Sequence, residues 1–287
     1  MECRVRDIPL SYESHGSGLP ILLLHGYSAD HRLMKGCMEP LFAHRPGWQR
    51  IYLDLPGMGQ TPGNEHIKST DDMLDVVIDF LDTVIGGEPF LLAGESYGGY
   101  LSRGVLQRKF DQVAGMALIC PVIVGDRSQR DLPPRTVIVE DPSLLASLSE
   151  RDAEEFGSGA VVQDAYTWQR SRDEVLSGVR IADEAFLERI SQQYSYSFDV
   201  DALPHPFTKP VVMLVGRQDH VTGYRDAWRI LENYPRATFA VLDRAGHNLQ
   251  IEQPQLFNAL IDEWLDRVQE SLKQPAHPKV SLQAKRA

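Results

Sequence analysis

Apolar residues along this chain fall into two kinds of pattern. Short continuous runs, "ILLLHG", "RIYLDLPG", "FLLAGES", "GMALICP", "VVMLVGRQD" and "TFAVLDRAGH", each end in turn residues. Runs without alternation suit strands covered on both faces, as in a parallel sheet. At the start, "CRVRD" and "LSYES" predict a hairpin. Elsewhere apolar positions recur every three or four residues. In "STDDMLDVVIDFLDTVIGG", Met73, Val76, Val77, Phe80 and Leu81 share one helical face, with Ser69 and Asp72 as a start pattern and Gly86-Gly87 as a stop. "YRDAWRILENYP" and "PQLFNALIDEWLDRVQESL" predict two later helices. Strands alternating with helices imply βαβ units and a mostly parallel, doubly wound α/β sheet.

The rhythm breaks between about Gly125 and Leu203, where a polar, helix-leaning stretch carries turn-rich segments such as "DLPPR" and "GSGA". It resumes after "LPHPFTKP". One sheet interrupted by an inserted helical unit fits this better than two independent domains. The expected organisation is a discontinuous core over 1–124 and 204–270, a helical cap insertion over 125–203, and a disordered tail over 271–287. The sequence shows no internal repeat.

Charge and cysteine content narrow the function classes. Hydrophobic content of 43% and charged content of 24% are those of an ordinary folded domain. A formal charge of -11 argues against nucleic acid and anionic membranes as partners, since both call for a basic footprint. The inserted stretch holds 16 acidic and 8 basic residues and so supplies -8 of that charge. No apolar run approaches the roughly 20 residues that span a bilayer. The charged start "MECRVRDIPL" does not read as a secretory leader, so the expected location is cytoplasmic. Cys3, Cys37 and Cys120 are odd in number and widely spaced, which predicts neither disulfide nor zinc site. Gly57 and Gly59 lack the spacing of a dinucleotide fingerprint, and no cofactor or metal is expected.

The chemistry sits at "LLAGESYGGY". Gly94-Glu95-Ser96-Tyr97-Gly98 fits G-x-S-x-G between a buried strand and a helix, where a sharp turn projects the serine hydroxyl. Side chains at the flanking glycines are expected to collide with the neighbouring strand and helix. A serine hydroxyl is a poor nucleophile alone and requires a base and a group that orients the base. Asp219 stands just beyond a buried strand in "LVGRQDH". His247 follows the next strand in "LDRAGHNLQIEQP", 28 residues on, which leaves room for one helix and one strand. Asp243 is the rival acid and His220 the rival base, but the Gly-His turn after a strand favours His247.

Taken together, "LLLHGYSAD", "LDLPGMGQTP", "GESYGGY", "GRQDHV" and "AGHNLQIEQP" resemble the α/β-hydrolase superfamily over roughly residues 8 to 268, in the family's order. The resemblance implies an α/β-hydrolase fold with a Ser96, His247, Asp219 triad. It also implies an oxyanion hole built from the backbone N–H groups of Tyr27, in the turn after the third strand, and Tyr97, with the two side chains left to shape the acyl pocket. Each such donor is worth about 3 to 4 kcal/mol. His25 is expected to fix the oxyanion loop and Asp54 to hold a turn. Tyr166, Trp168, Tyr194, Tyr196 and Phe198 are expected to form the core of the cap.

Serine at the nucleophile position argues against epoxide hydrolases and haloalkane dehalogenases, which use aspartate there. The leading expectation is a carboxylesterase that forms an acyl-enzyme on a small-molecule ester. A proline iminopeptidase resembles "GESYGG" but differs at His25-Gly26-Tyr27-Ser28-Ala29. A carbon-carbon bond hydrolase shares the triad and cap, yet its anionic substrate is expected to fit poorly against an acidic cap. "HGYSAD" resembles the loop of cofactorless perhydrolases, an activity that could accompany the esterase. A ligand receptor of the same fold is compatible with an intact triad.

Overall fold

A computed structural model describes residues 1–273. Eight strands form one sheet: β1 (Glu2–Val5), β2 (Ile8–Gly16), β3 (Leu19–Leu24), β4 (Trp48–Leu53), β5 (Phe90–Glu95), β6 (Val113–Ile119), β7 (Val211–Gly216) and β8 (Ala237–Leu242). Their spatial order is β1-β2-β4-β3-β5-β6-β7-β8. The first two strands pair antiparallel and β2 joins β4 antiparallel, while all pairings from β4 to β8 are parallel. Each apolar run of the sequence became a strand of this sheet.

The unbroken runs have a direct cause. In β3, Leu22 and Leu24 join a core with Leu53, Leu92 and the helices α2 (Thr70–Val84) and α3 (Tyr97–Arg108). Ile21 and Leu23 point the other way, into a second core with Leu91 and the helices α1 (His31–Phe42) and α11 (Pro254–Lys273). Side chains alternate across a strand, so a strand buried on both faces must be apolar at every position. Helix α2 starts and stops where the sequence indicates: the Ser69 hydroxyl accepts from Asp72 N at 3.2 Å, and Gly86 takes a φ of +72°. Helix α1 was not among the segments named from the pattern. Its buried face, Leu33, Met34, Cys37, Met38 and Phe42, is interrupted by charged and glycine positions.

Between β6 and β7 the chain builds α4 (Pro142–Ser147), α5 (Glu150–Gly159), α6 (Ala165–Ser171), α7 (Ser177–Val179) and α8 (Glu184–Ser191), with a π-helical stretch over Arg172–Leu176. The "GSGA" segment is helical for most of its length rather than a turn, because α5 runs through Gly157 and Gly159. Much of the acidic excess here starts helices: Asp141, Asp164 and Asp183 accept from the amides of Leu144, Thr167 and Phe186 at 2.9, 2.8 and 3.0 Å. Other acids pair with arginines, as Glu174 does with Arg170.

Two expectations need correction. "YRDAWRILENYP" is not one helix but α9 (Arg225–Arg229) followed by a 3-10 turn over Leu231–Asn233. The break falls at Ile230, whose φ of −97° and ψ of 1° leave the α-helical range and turn the chain into the 3-10 segment. Helix α11 continues through Lys273, past the core boundary placed at 270, and the rest of the expected tail, 274–287, lies outside the described residues. A short helix, α10 (Leu249–Glu252), precedes α11. Among the described residues no helix is long and apolar enough to cross a membrane.

Candidate active site

Ser96 is the single residue between β5 and α3, with φ +53° and ψ −113°. This is a strained conformation for a residue with a side chain, and it lifts the hydroxyl out of the strand-to-helix turn. The flanking glycines are sterically required. A Cβ on Gly94 would lie 2.3 Å from Gly98 O, and one on Gly98 would lie 2.1 Å from Leu24 O at the end of β3. Both obstacles are backbone atoms, which cannot rotate away. Ser28 and Cys120, at φ +66° and +40°, hold two further left-handed non-glycine positions close to the site.

Asp219 and His247 arrive on the loops after β7 and β8. Their side chains and Ser96 form one hydrogen-bonded chain, with His247 Nε2 2.9 Å from Ser96 Oγ and His247 Nδ1 3.0 Å from Asp219 Oδ2. Asp219 is fully buried and accepts three more bonds, from Val221 N at 2.8 Å, Thr222 N at 3.0 Å and Thr222 Oγ at 2.6 Å. Burial works against its negative charge, but the His247 charge and these donors outweigh it and push the carboxyl down to about 2. A permanently ionised acceptor on Nδ1 fixes the tautomer that leaves Nε2 free to take a proton. The rivals stand apart: Asp243 is exposed, and the hydrogen bonds of His247 run to Asp219 and Ser96.

The loop after β3 passes directly beside the serine. A Cβ on Gly26 would come 3.3 Å from Ser96 Cβ. His25, wholly buried, accepts from Leu55 N at Nε2 (3.0 Å), which places its proton on Nδ1 for donation to Gly26 O (2.8 Å). It thus ties the loop down as expected, and burial lowers its pKa. Asp54 holds the following turn by accepting from Gln60 N at 3.0 Å and His31 N at 2.9 Å. Tyr97 is the first residue of α3, so its N–H has no acceptor within the helix.

The two tyrosine side chains differ from the expectation that both shape the pocket. Tyr27 lines the cavity, whereas Tyr97 is buried in the core, packs edge-on against Tyr27 and donates to Thr70 Oγ1 at 3.1 Å. The cavity over Ser96 and His247 has a volume of about 780 Å³. Its walls come from Val122, Val221 and two stretches of the β6–β7 segment, Gly125–Arg130 and Ser191–Ser195. Tyr194, expected as cap core, is one of these wall residues, while Tyr196 packs on Tyr100 and Phe198 on Tyr196. Trp168 packs with Phe156, and Tyr166 is exposed.

Sequence reasoning passed over Glu95 and Arg130. Glu95 is buried, with Oε1 3.4 Å from His247 Nε2, and Arg130 lines the cavity. Neither carries a spacing signal, because the variable position of G-x-S-x-G and an isolated arginine look like any other. Two groups of potential metal ligands occur among the described residues, Cys120/Asp219/His247 and Asp30/His31/Asp54. The carboxylates of the second are already bound to Arg32, His31 and Gln60.

The fold matches a known class. The model of the alpha/beta hydrolase family matches residues 21–260, and the chain belongs to that family. An alpha/beta superfamily hydrolase from Oenococcus oeni PSU-1 superposes with a TM-score of 0.85 at 31% identity, covering 94% of this chain and 99% of that one. A pimeloyl-[acyl-carrier protein] methyl ester esterase of Legionella pneumophila (strain Paris) is 25% identical over 263 residues, 88% of this chain and 98% of that protein. An esterase from Exiguobacterium antarcticum shares the fold at a TM-score of 0.70 and 17% identity, over 92% of this chain and 98% of its own.

Proposed function

We propose that the chain is a serine carboxylesterase that cleaves small-molecule esters through an acyl-enzyme. The observation that carries this reading is the unbroken chain Asp219–His247–Ser96 opening onto a cavity of about 780 Å³, a volume suited to a small organic ligand. The pimeloyl-[acyl-carrier protein] methyl ester esterase among its relatives supports it.

In this mechanism His247 Nε2 takes the Ser96 proton as Oγ attacks the ester carbonyl. The amides of Tyr27 and Tyr97 receive the oxyanion, and His247 returns the proton to the departing alcohol. Water, deprotonated by the same nitrogen, then attacks the acyl-enzyme and releases the acid. Asp219 keeps the imidazole oriented and stabilises its charged form throughout. The β6–β7 segment, residues 125–203, serves as a cap and supplies two walls of the substrate cavity. An aminopeptidase would use a free carboxylate there to hold a substrate amine. The acid on the cavity wall, Asp126, is already occupied by Ser128 and Gln129.

Hydrolysis of p-nitrophenyl esters from acetate to laurate, with proline p-nitroanilide in parallel, tests the reading. The wild type is expected to turn over a limited range of acyl lengths, and Ser96→Ala to lose about 10⁴-fold or more in kcat. Retained turnover in Ser96→Ala, or cleavage of the anilide alone, would overturn it.

A further inference from the structure

The cavity over Ser96 presents positive charge in a strongly acidic protein. Its lining includes Arg127 and Arg130, and neither forms an ion pair among the described residues. Arg130 is half-buried, and its donors are spent on backbone carbonyls: Nε on Val124 O at 2.8 Å, Nη1 on Val221 O at 3.0 Å and Nη2 on Gly125 O at 3.0 Å. A guanidinium has five N–H groups, so one remains on each terminal nitrogen. Carbonyls solvate a cation without neutralising it.

Other enclosed arginines of this chain are handled differently. Arg103 is paired with Asp201, Arg170 with Glu174 and Arg50 with Glu39. Arg189 also bonds only to carbonyls, but it lies outside the cavity lining and stacks on Phe186. Arg130 is therefore a rigidly held charge on the substrate side, fixed by carbonyls from the start of the inserted segment and from the loop that carries Asp219. The ring of Tyr194, 5.9 Å away, flanks it.

We propose that Arg130 receives a carboxylate of the substrate, with Arg127 at the rim assisting, so that the preferred substrates are half-esters of dicarboxylic acids. The free carboxylate docks on the two remaining N–H groups, and the ester end lies over Ser96. The proposal rests on the esterase reading. It also reverses the expectation that an acidic cap disfavours anions. Many of the segment's acids start helices or pair with arginines away from the cavity, whose wall carries two cations, Arg127 and Arg130, against one carboxylate, Asp126. A fixed guanidinium of this kind adds specificity because its orientation is set before the ligand arrives.

The test compares kcat/KM for monomethyl and dimethyl esters of the linear dicarboxylic acids from succinate to suberate. The wild type is expected to favour the half-ester by about 10-fold or more at its best chain length. In Arg130→Gln the half-ester to diester ratio is expected to fall close to one, mainly through KM, and in Arg127→Gln to fall less. Using a ratio removes any general loss from altered folding. An unchanged ratio in Arg130→Gln, or no preference in the wild type at any length, would overturn the proposal. Calorimetric titration of the half-esters into Ser96→Ala, with and without Arg130→Gln, separates this from the esterase reading. Arg130-dependent binding without turnover in the wild type supports the anion site and sinks the esterase. Ester turnover with binding indifferent to Arg130 does the reverse.

Discussion

Glu95 puts a second carboxyl beside the nitrogen that must accept the Ser96 proton. It is 1% exposed, its Oε1 has no hydrogen-bond partner among the described residues, and that oxygen lies 3.4 Å from His247 Nε2. Burial pushes Glu95 up to about 7, offset in part by the His247 charge. Burial lowers the His247 pKa, but Asp219 and Glu95 together outweigh it and raise it to about 9, with Arg130 acting against them. Only neutral imidazole can act as base, so kcat/KM is expected to rise with pH as His247 loses its proton. Glu95→Gln removes one of the two anions that stabilise imidazolium. The His247 pKa therefore falls, and the rising limb is expected to move to lower pH by about one unit. A pH series of kcat/KM for both proteins checks this, and superimposable limbs would mean that Glu95 has no electrostatic hold on the base. Nothing in G-x-S-x-G distinguishes this glutamate, because its effect depends on a histidine 152 positions away in the chain.

At the level of elements, the site is assembled from the ends of strands, and that is why so much of it was legible. Ser96, Asp219 and His247 each follow an apolar run, and such runs are conspicuous when both faces of a strand are buried. The braces between elements carry no comparable pattern. Glu252, in α10, accepts from Gly246 N at 2.5 Å with one oxygen, and from Val161 N and Val162 N at 2.6 and 3.3 Å with the other. It joins the His247 loop to the stretch between α5 and α6. Glu252→Gln replaces one acceptor with an NH₂ that faces backbone N–H groups, leaving a buried donor unpaired at a cost of about 1 to 3 kcal/mol. The expected result is a lower denaturation midpoint and a fall in kcat of about 10-fold, with His247 no longer held in line with Ser96. Unchanged kcat with lowered stability would limit Glu252 to bracing the fold.

On the scale of the whole molecule, composition marked an ordinary folded domain and misjudged the cavity, because a net charge does not record which side chains face inward. The insertion's acidic total was legible. That Arg127 and Arg130 line the site while Asp141, Asp164 and Asp183 start helices required the three-dimensional arrangement. The same limit applies to how the insertion is held. Arg103 in α3 is fully buried and reaches both ends of it, donating to Val122 O at 3.0 Å and Ile123 O at 3.2 Å on one side and to Asp201 at 2.5 Å on the other. One side chain thus clips the two stems together beneath the cavity, and the charge is neutralised only by a residue 98 positions away. Arg103→Leu would leave the Asp201 carboxylate unpaired and two carbonyls without donors, so a loss of about 3 to 5 kcal/mol is expected in chemical denaturation. Because removing both charges is far less costly than removing one, Arg103→Leu combined with Asp201→Asn should recover part of that loss. Faster proteolysis within residues 125–203 in the single variant, with the sheet intact, would show that the clip secures the insertion in particular. Uniform loss across the chain would make Arg103 a support of the core instead.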